Sequence, residues 1–276
     1  MRPLHPWMLF VPGSLVLAAT LEGLWLSRRT GVYDWKAYFA SLGDLLIRTA
    51  TGVLPLGLAA GALNWVWQHR LYTMPLNETW PWIVLILGQD FCYYWMHRAD
   101  HSVRWLWATH SVHHSPNSLN LSAAYRLGWT ARLSFAPVFF APLVLFGFSP
   151  LLVGAVLAAN LFYQFWLHAT WMPRLGPLEW VFNTPAHHRV HHASNPEYLD
   201  ANFGGVLIVF DRMFGTFVAE RPGVTIRYGL VEPLRSNNPL VIGLHEWYAI
   251  SRDILASRSV RSVLRAAFGA PGPKAT

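Results

Sequence analysis

Residues 185–194 read PAHHRVHHAS and place four histidines within six positions. These are His187, His188, His191 and His192. Side chains three and four residues apart share one face of an α-helix. We therefore predict that His188, His191 and His192 point in one direction, with His187 bordering the same face. Neutral imidazole is a common metal ligand, so this short helix is a candidate wall of a metal site.

Two further histidine clusters have the same helical spacing. They are HRADH, with His97 and His101, and HSVHH, with His110, His113 and His114. Three helical faces can converge on one point and bring together at least eight imidazoles. One metal ion takes about four to six ligands, so the spacing predicts two ions. The same side chains packed without metal would leave many polar nitrogens unpartnered.

The spacing leaves the identity of the metal open. Zinc takes about four ligands per ion, and imidazole also suits iron and copper. Two ions in an all-nitrogen site at a membrane surface favour redox chemistry with O2. A zinc-dependent membrane hydrolase is the alternative, and it would turn over without O2 or a reductant. A metal transporter is disfavoured because its ligands would lie at mid-membrane, whereas these clusters flank the apolar segments.

The composition is that of a chain that contacts lipid. Of the 276 residues, 53% are hydrophobic, 15 are tryptophan and only 13% are charged, against about 25% charged residues in an ordinary soluble domain. Apolar spans cover 7–27, 44–67, 79–96 and 133–167, and the last is broken by GFSP at 147–150. We predict an all-α integral membrane protein with about four transmembrane or hairpin helices and an interfacial segment at 28–43. The first span is expected to be an anchor and not a signal peptide, because it is long and lacks a clear small-residue cleavage site.

Basic residues in the connecting segments predict the orientation. Arginines lie in 28–43, in 97–132 and in the C-terminal tail, which places these segments on the cytoplasmic side. The histidine clusters then lie in a cytoplasmic helical cap that holds the di-metal site. The net charge of +7 is spread without a dense basic run, so we expect attraction to an anionic leaflet and no nucleic-acid partner. The single cysteine, Cys92, excludes a cysteine-bound iron–sulfur cluster.

Four stretches of the chain resemble a known family. They are YYWMHRADH at 93–101, THSVHHSPNSLNLSAAYR at 109–126, NLFYQFWLH at 160–168 and the segment 175–220 that begins LGPLEWVFNTPAHHRVHH. With their HxxxH, HxxHH and HxxHH motifs they resemble the fatty acid hydroxylase/sterol desaturase superfamily of integral-membrane di-iron oxygenases. The motifs are closer still to the alkylglycerol monooxygenase branch. The resemblance covers roughly residues 80–235.

The resemblance implies a set of metal ligands and a reaction. The implied ligands are His97, His101, His110, His113, His114, His188, His191 and His192, with His168 and His187 as further family histidines. The implied cofactor is a pair of iron ions, although zinc can occupy such a site on purification. The implied reaction is O2-dependent hydroxylation, or desaturation, of a C–H bond in a lipid alkyl or acyl chain or a sterol-like substrate. Its electrons come from an external donor, either a reduced pterin or a cytochrome- or ferredoxin-type partner protein.

The resemblance also divides the chain and shows one departure. We expect N-terminal membrane helices and an interfacial segment at 1–79, a catalytic domain at 80–235 and a basic C-terminal tail at 236–276. The alkylglycerol monooxygenase branch has a glutamate directly after HxxxH, where this chain has Ser102. That difference concerns the glyceryl-ether substrate and the pterin donor, not the metal ligands.

Three polar residues in apolar spans are candidates for supporting the site. Asp90 lies seven residues before His97 on the same helical face, and a carboxylate in a membrane span is a functional candidate by default. We predict that Asp90 orients a metal-bound histidine; pairing with an arginine is the alternative. Asn160 and Gln164 share a face with His168 and are predicted to support the ligands or line the substrate path. The alternative for both is hydrogen bonding between helices.

Polar residues after the second and third histidine clusters are expected to tie the cap together. They are Arg126, Asp200 and Asn202. Capping or salt-bridge roles are favoured over catalysis for all three.

Overall fold

The computed structural model describes residues 7–52 and 58–272; residues 1–6, 53–57 and 273–276 lie outside this description. The described residues form α-helices and short 3₁₀ turns, with no β-strand among them. Two isolated β-bridges, Phe182 with Leu207 and Ala193 with Tyr228, join irregular segments. The prediction of an all-α fold with a histidine-rich cluster is confirmed for this part of the chain.

Three helices form the N-terminal part: α1 (Trp7–Thr30), α2 (Trp35–Gly52) and α3 (Leu58–Gln68). Helix α1 ends because Gly31 adopts a left-handed φ of 73° and turns the chain. Helix α2 begins after Asp34, whose carboxylate accepts the Ala37 N–H at 2.9 Å. The predicted span 44–67 therefore corresponds to the second half of α2 and to α3, and its middle lies outside the described residues.

Helix α4 (Trp80–Ser102) is the central element and carries HRADH at its C-terminal end. It packs against α6 (Ala141–Leu145) and α7 (Pro150–Phe165). Together with α3, these helices surround a buried apolar cluster that includes Leu85, Phe140 and Phe148. The predicted break at 147–150 is present: Gly147 has a φ of 105°, and the Ser149 hydroxyl accepts the Leu152 N–H to cap α7.

Helix α5 (Arg104–His114) lies next to α4 and carries HSVHH. Helices α10 (Pro239–Leu255) and α11 (Val260–Phe268) pack on α5. The Arg104 guanidinium donates to Glu246 at 2.6 Å and to Asp253 at 2.7 Å, and all three side chains are largely buried. The segment expected to be a basic tail thus contains two packed helices.

The cap is completed by α8 (Pro185–His191), α9 (Val209–Phe214) and the irregular chain between and after them. Among the described residues, one stretch, Pro150–His168, is long and apolar enough to cross a membrane; Ala136–Leu145 is apolar but shorter. The outer face of α4 is apolar and exposed: the side chain of Ile83 is 54% exposed and that of Ile86 is 55% exposed. The number of crossings and the cytoplasmic orientation of the cap remain predictions.

Candidate metal centre

Four segments bring nine histidines together in two groups. The first group contains His97, His101, His110, His114 and His191. The second group contains His113, His168, His188 and His192. Within each group the candidate ligand nitrogens all lie within 4.8 Å of one another. The helical faces predicted from the spacing therefore converge, and they form two sites instead of one pool of imidazoles.

In both groups the rings face each other with their Nε2 atoms. In the second group, Nε2 of His168 lies 3.3 Å from that of His113 and 3.1 Å from that of His188. In the first group, Nε2 of His110 lies 3.0 Å from that of His97 and 3.2 Å from that of His114. Each group therefore surrounds a common point with ring nitrogens.

The partners of Nδ1 determine which nitrogen of these rings carries the proton. Nδ1 of His113 lies 3.2 Å from the Arg126 carbonyl, and Nδ1 of His168 lies 3.0 Å from the Gln164 carbonyl. A carbonyl only accepts, so Nδ1 is the donor in both rings and Nε2 holds a lone pair. Two lone pairs thus face each other at 3.3 Å, an arrangement that a cation between them stabilises.

Two rings of the first group also donate from Nδ1 to a backbone carbonyl, which leaves a lone pair on Nε2. Nδ1 of His97 donates to the Phe203 carbonyl at 2.8 Å, and Nδ1 of His191 donates to the Ala201 carbonyl at 2.9 Å. Nε2 of His191 and Nε2 of His101 are buried without a hydrogen-bond partner in the described structure. A buried unpartnered nitrogen is costly unless a metal takes its lone pair. The donor set therefore fits two metal ions, and all-imidazole ligands suit iron or zinc.

Burial keeps these imidazoles neutral. Desolvation lowers the pKa of His113 to about 4. Desolvation, followed by neighbouring histidines, holds the pKa of His110, His114 and His192 well below 6.5. Neutral imidazole is the form that binds metal.

Two carboxylates approach the outer nitrogens of the first group. Asp100 is buried, and its carboxylate lies 3.9 Å from Nδ1 of His110. Asp200 is exposed and lies 3.5 Å from Nδ1 of His101. Carboxylates in this position commonly orient metal-bound histidines. Asp100 was not among the predicted site residues, although it is the acidic residue within HRADH itself.

The loop 200–204 supplies the backbone carbonyls that orient His97 and His191 of the first group. The Asp211 carboxylate accepts the N–H groups of Phe203 and Gly204 and the Thr216 hydroxyl, each at 2.7 Å. Asn202 has a left-handed φ of 59°, and its side chain bridges to the backbone of His187 and Val218. Asp211 was not among the predicted site residues, whereas Asn202 was predicted to tie the cap together and makes these bridging contacts.

The family model for fatty acid hydroxylase matches residues 82–216, which contain all nine grouped histidines. Residues 82–216 belong to the fatty acid hydroxylase family. The chain is 37% identical over 248 residues to an alkylglycerol monooxygenase of Xenopus tropicalis, covering 87% of this chain and 55% of that protein. It is 39% identical over 209 residues to an alkylglycerol monooxygenase of Homo sapiens, covering 75% and 46%. Both proteins confirm the predicted resemblance to that branch.

A bacterial relative has a different name. The chain is 33% identical over 206 residues to ornithine lipid hydroxylase OlsE of Rhizobium tropici, covering 71% of this chain and 60% of that protein. The chain spans about half the length of the curated relatives it matches. No solved structure matches it.

Asp90 of this fatty acid hydroxylase domain contacts the cap in place of a histidine. Its carboxylate accepts the N–H groups of Val206 and Leu207 at 2.9 and 2.8 Å and the Asn160 amide at 2.8 Å. Neither the predicted contact with a ligand nor the alternative pairing with an arginine is seen among its hydrogen bonds. Asp90 instead fixes the chain directly after loop 200–204. Position 205 requires glycine, because a Cβ there would lie 2.7 Å from the Asp90 carboxylate.

Asn160 and Gln164 join α4 to α7. The Asn160 amide donates to Gln89 at 2.9 Å, and the Gln164 amide donates to Asn160 at 2.6 Å. Gln164 also accepts the Tyr93 hydroxyl at 3.0 Å. Their side chains thus make hydrogen bonds between helices, which was the alternative hypothesis for both residues. The backbone carbonyl of Gln164 orients His168.

Two further predicted positions lie apart from the groups. The structure does not bring His187 to either group: its ring packs edge-on against Phe217 at 5.4 Å. Ser102 is exposed, and its hydroxyl donates to the Arg98 carbonyl at 2.7 Å.

Proposed function

We propose that the chain is a membrane lipid hydroxylase that uses O2 and external electrons, with two iron ions held by the two histidine groups. Membership of the fatty acid hydroxylase family supports it, as do the names of relatives, which describe monooxygenases and a lipid hydroxylase. Desaturation follows from similar chemistry and is distinguished by the product.

One observation carries the proposal: imidazoles whose Nδ1 protons are committed face each other through Nε2. His113 and His168 show this in the second group. In the first group, His97, whose Nδ1 donates to the Phe203 carbonyl, faces Nε2 of His110. Two such points within one buried cluster support two ions. His187 faces neither point, so we assign nine ligands and leave it out of the set.

The metal ions supply the oxidative chemistry. When bound, two iron ions would activate O2 with electrons from the donor, so that one oxygen atom is inserted into a C–H bond. The protein contributes the arrangement of ligands. Carbonyls of Ala201 and Phe203 orient rings of the first group, and carbonyls of Arg126 and Gln164 orient rings of the second.

The lipid substrate and the electron donor are also part of the proposal. We propose that α4 and α7 lie in the bilayer within a multi-pass arrangement, with the cap on the cytoplasmic side, so that an alkyl chain reaches the site from the lipid. The exposed apolar faces of both helices support this, with Leu151 85% exposed and Phe162 56% exposed. Electrons come from a reduced pterin or a redox protein, and the catalytic unit is 80–235.

Metal and product analysis of the purified protein tests the proposal. We expect about two irons per chain from iron-supplied cells and an O2-dependent hydroxylated lipid in reconstituted membranes. His113→Ala and His191→Ala should lower metal content and turnover together. His245→Ala is the matched control, because His245 lies outside both groups. Stoichiometric zinc with turnover under anaerobic conditions would favour the hydrolase instead.

A further inference from the structure

A cavity of about 260 Å3 lies between α8, α9 and the segments 174–180 and 217–220. Ala186 and His187 of α8 line it, and none of the nine grouped histidines does. Pockets that enclose a whole small molecule usually measure about 300–1,000 Å3. This cavity therefore suits one polar headgroup better than an entire lipid.

Two guanidinium groups line the cavity. The Arg212 guanidinium carbon lies 3.7 Å from the centroid of the Phe217 ring and 4.7 Å from that of Trp180, so two aromatic rings hold it in place. Arg212 donates to the Glu179 carbonyl at 3.1 Å, and Arg174 donates to the Glu220 carbonyl. A guanidinium has five N–H donors in a planar fork that matches a phosphate. Each arginine therefore retains donors for a ligand.

The two carboxylates that line the cavity are engaged by the protein. Glu220 is paired with Arg189 at 2.7 Å. The Glu179 carboxylate accepts the N–H of Leu175 at 2.8 Å and the Thr184 hydroxyl at 3.2 Å. Because Arg189 neutralises Glu220, the guanidiniums of Arg174 and Arg212 face only one uncompensated carboxylate, that of Glu179. The lining thus has a net positive charge, which favours an anion.

An apolar rim borders this charged cavity. It consists of Leu178, Trp180, Val181, Phe182, Met213 and Phe214, which are 36–68% exposed. The rim is continuous with α4, because the Phe214 ring lies 6.2 Å from that of Phe91. Exposed apolar residues with a tryptophan and an arginine are typical of a segment at the membrane interface. The guanidiniums would then lie at the level of lipid headgroups.

We propose that this cavity binds the phosphate of a membrane phospholipid headgroup, with Arg174 and Arg212 as donors and the apolar rim set in the leaflet. Free phosphate shares the anion chemistry but gains nothing from the rim. The site lies outside the histidine groups, so it goes beyond the hydroxylase proposal and does not depend on it.

Titration of the detergent-solubilised chain tests this site. The ligands are dihexanoyl-phosphatidylglycerol, dihexanoylglycerol, which lacks the phosphate, and inorganic phosphate, with the unfolding temperature and native mass spectrometry as readouts. We expect the phosphatidylglycerol to bind and to raise the unfolding temperature, and dihexanoylglycerol to have no such effect. Arg174→Gln and Arg212→Gln should each raise the Kd for phosphatidylglycerol about tenfold or more, because each removes charge-assisted hydrogen bonds.

Further variants separate the lipid from the free anion. Met213→Ser changes a rim residue that does not line the cavity; it should weaken phosphatidylglycerol binding and leave inorganic phosphate binding unchanged. Arg227→Gln removes an exposed guanidinium outside the cavity and should leave both affinities unchanged. Inorganic phosphate that binds as tightly as the lipid would overturn the lipid assignment.

Folding is checked from the unfolding temperature without ligand. If Arg212→Gln lowers it strongly, Arg174→Gln decides, because Arg174 is exposed and its removal opens no buried space. Unchanged phosphatidylglycerol affinity in a folded Arg174→Gln variant would overturn the proposal.

Discussion

His97 and Phe203 are joined by a 2.8 Å hydrogen bond from the imidazole Nδ1 to the backbone carbonyl, across 106 residues of sequence. The carbonyl is held in place through its own peptide unit, because the Gly204 N–H of that unit donates to the buried Asp211 carboxylate at 2.7 Å. A side chain that touches no histidine thus determines the orientation of a candidate ligand through one peptide segment.

Asp211→Asn should weaken metal binding in the first group. An amide nitrogen cannot accept the N–H of Gly204 or Phe203, so the loop loses at least one of its fixed contacts. Loss of such outer partners typically costs about 10–100-fold in metal affinity. The metal content that remains after dialysis against increasing concentrations of a chelator measures the effect. The exposed Glu232→Gln is the control, and metal retention equal to wild type in Asp211→Asn would contradict the positioning role.

The two histidine groups should lose metal separately. His191→Ala removes a first-group ring, whereas His113→Ala removes a second-group ring. Each variant is expected to retain the ion of the other group and to bind about one metal per chain. Elemental analysis with protein quantification measures this. Loss of both ions from either variant would show that the groups bind metal as one cooperative unit.

Gly205→Ala should destabilise the fold. The added Cβ would lie 2.6 Å from the Asn160 side-chain oxygen and 2.7 Å from the Asp90 carboxylate, both buried on packed helices. We expect a loss of about 1–3 kcal/mol, as for other overpacked interiors. Gly154→Ala is the matched control: its Cβ meets nothing within 4 Å, and alanine in a helix should gain about 0.5–1 kcal/mol. Thermal unfolding of both variants in detergent gives the comparison, and equal unfolding temperatures would contradict the clash.

Arg104→Gln should loosen the packing of α10 and α11 on α5. It removes the guanidinium that the buried carboxylates of Glu246 and Asp253 share, and breaking a buried pair in this way costs about 3–5 kcal/mol. Arg252→Gln, at a site 65% exposed and 3.7 Å from Asp253, should cost less than about 1 kcal/mol. Unfolding temperature and hydrogen exchange in α10 distinguish them. Protection of α10 equal to wild type in Arg104→Gln would be inconsistent with this role.

The ligand helices could be predicted from the sequence because their signal is local. Histidines at i, i+3 and i+4 mark one helical face, and Gly147 with Pro150 marks the observed break. The loop that orients the first group could not be predicted. Its contacts to the rings come from backbone carbonyls, which leave no residue signature, and they join residues distant in sequence.

Two polar positions show the same limit. Asp90 stands out in the sequence as a carboxylate in an apolar span. Its partners are the N–H groups of Val206 and Leu207, which almost any residue type provides, so the sequence could not indicate them. His187 shares the helix of the grouped histidines but lies on its border. One further 100° step of the helix turns it towards Phe217 and away from both groups.

Metal removal should destabilise the chain through the same facing lone pairs. Without a cation, Nε2 of His113 and Nε2 of His168 repel each other at 3.3 Å, and Nε2 of His191 is left buried without a partner. A metal that binds only the folded state adds stability by mass action, about 4 kcal/mol at a thousandfold excess over Kd. We expect the unfolding temperature to fall on dialysis with a chelator and to recover on addition of ferrous iron. His113→Ala should show a smaller fall, since one of its sites is already weakened, and His245→Ala should behave as wild type. An unfolding temperature that does not respond to the chelator, in protein shown to be metal-free afterwards, would mean that the rings are stable face to face without an ion.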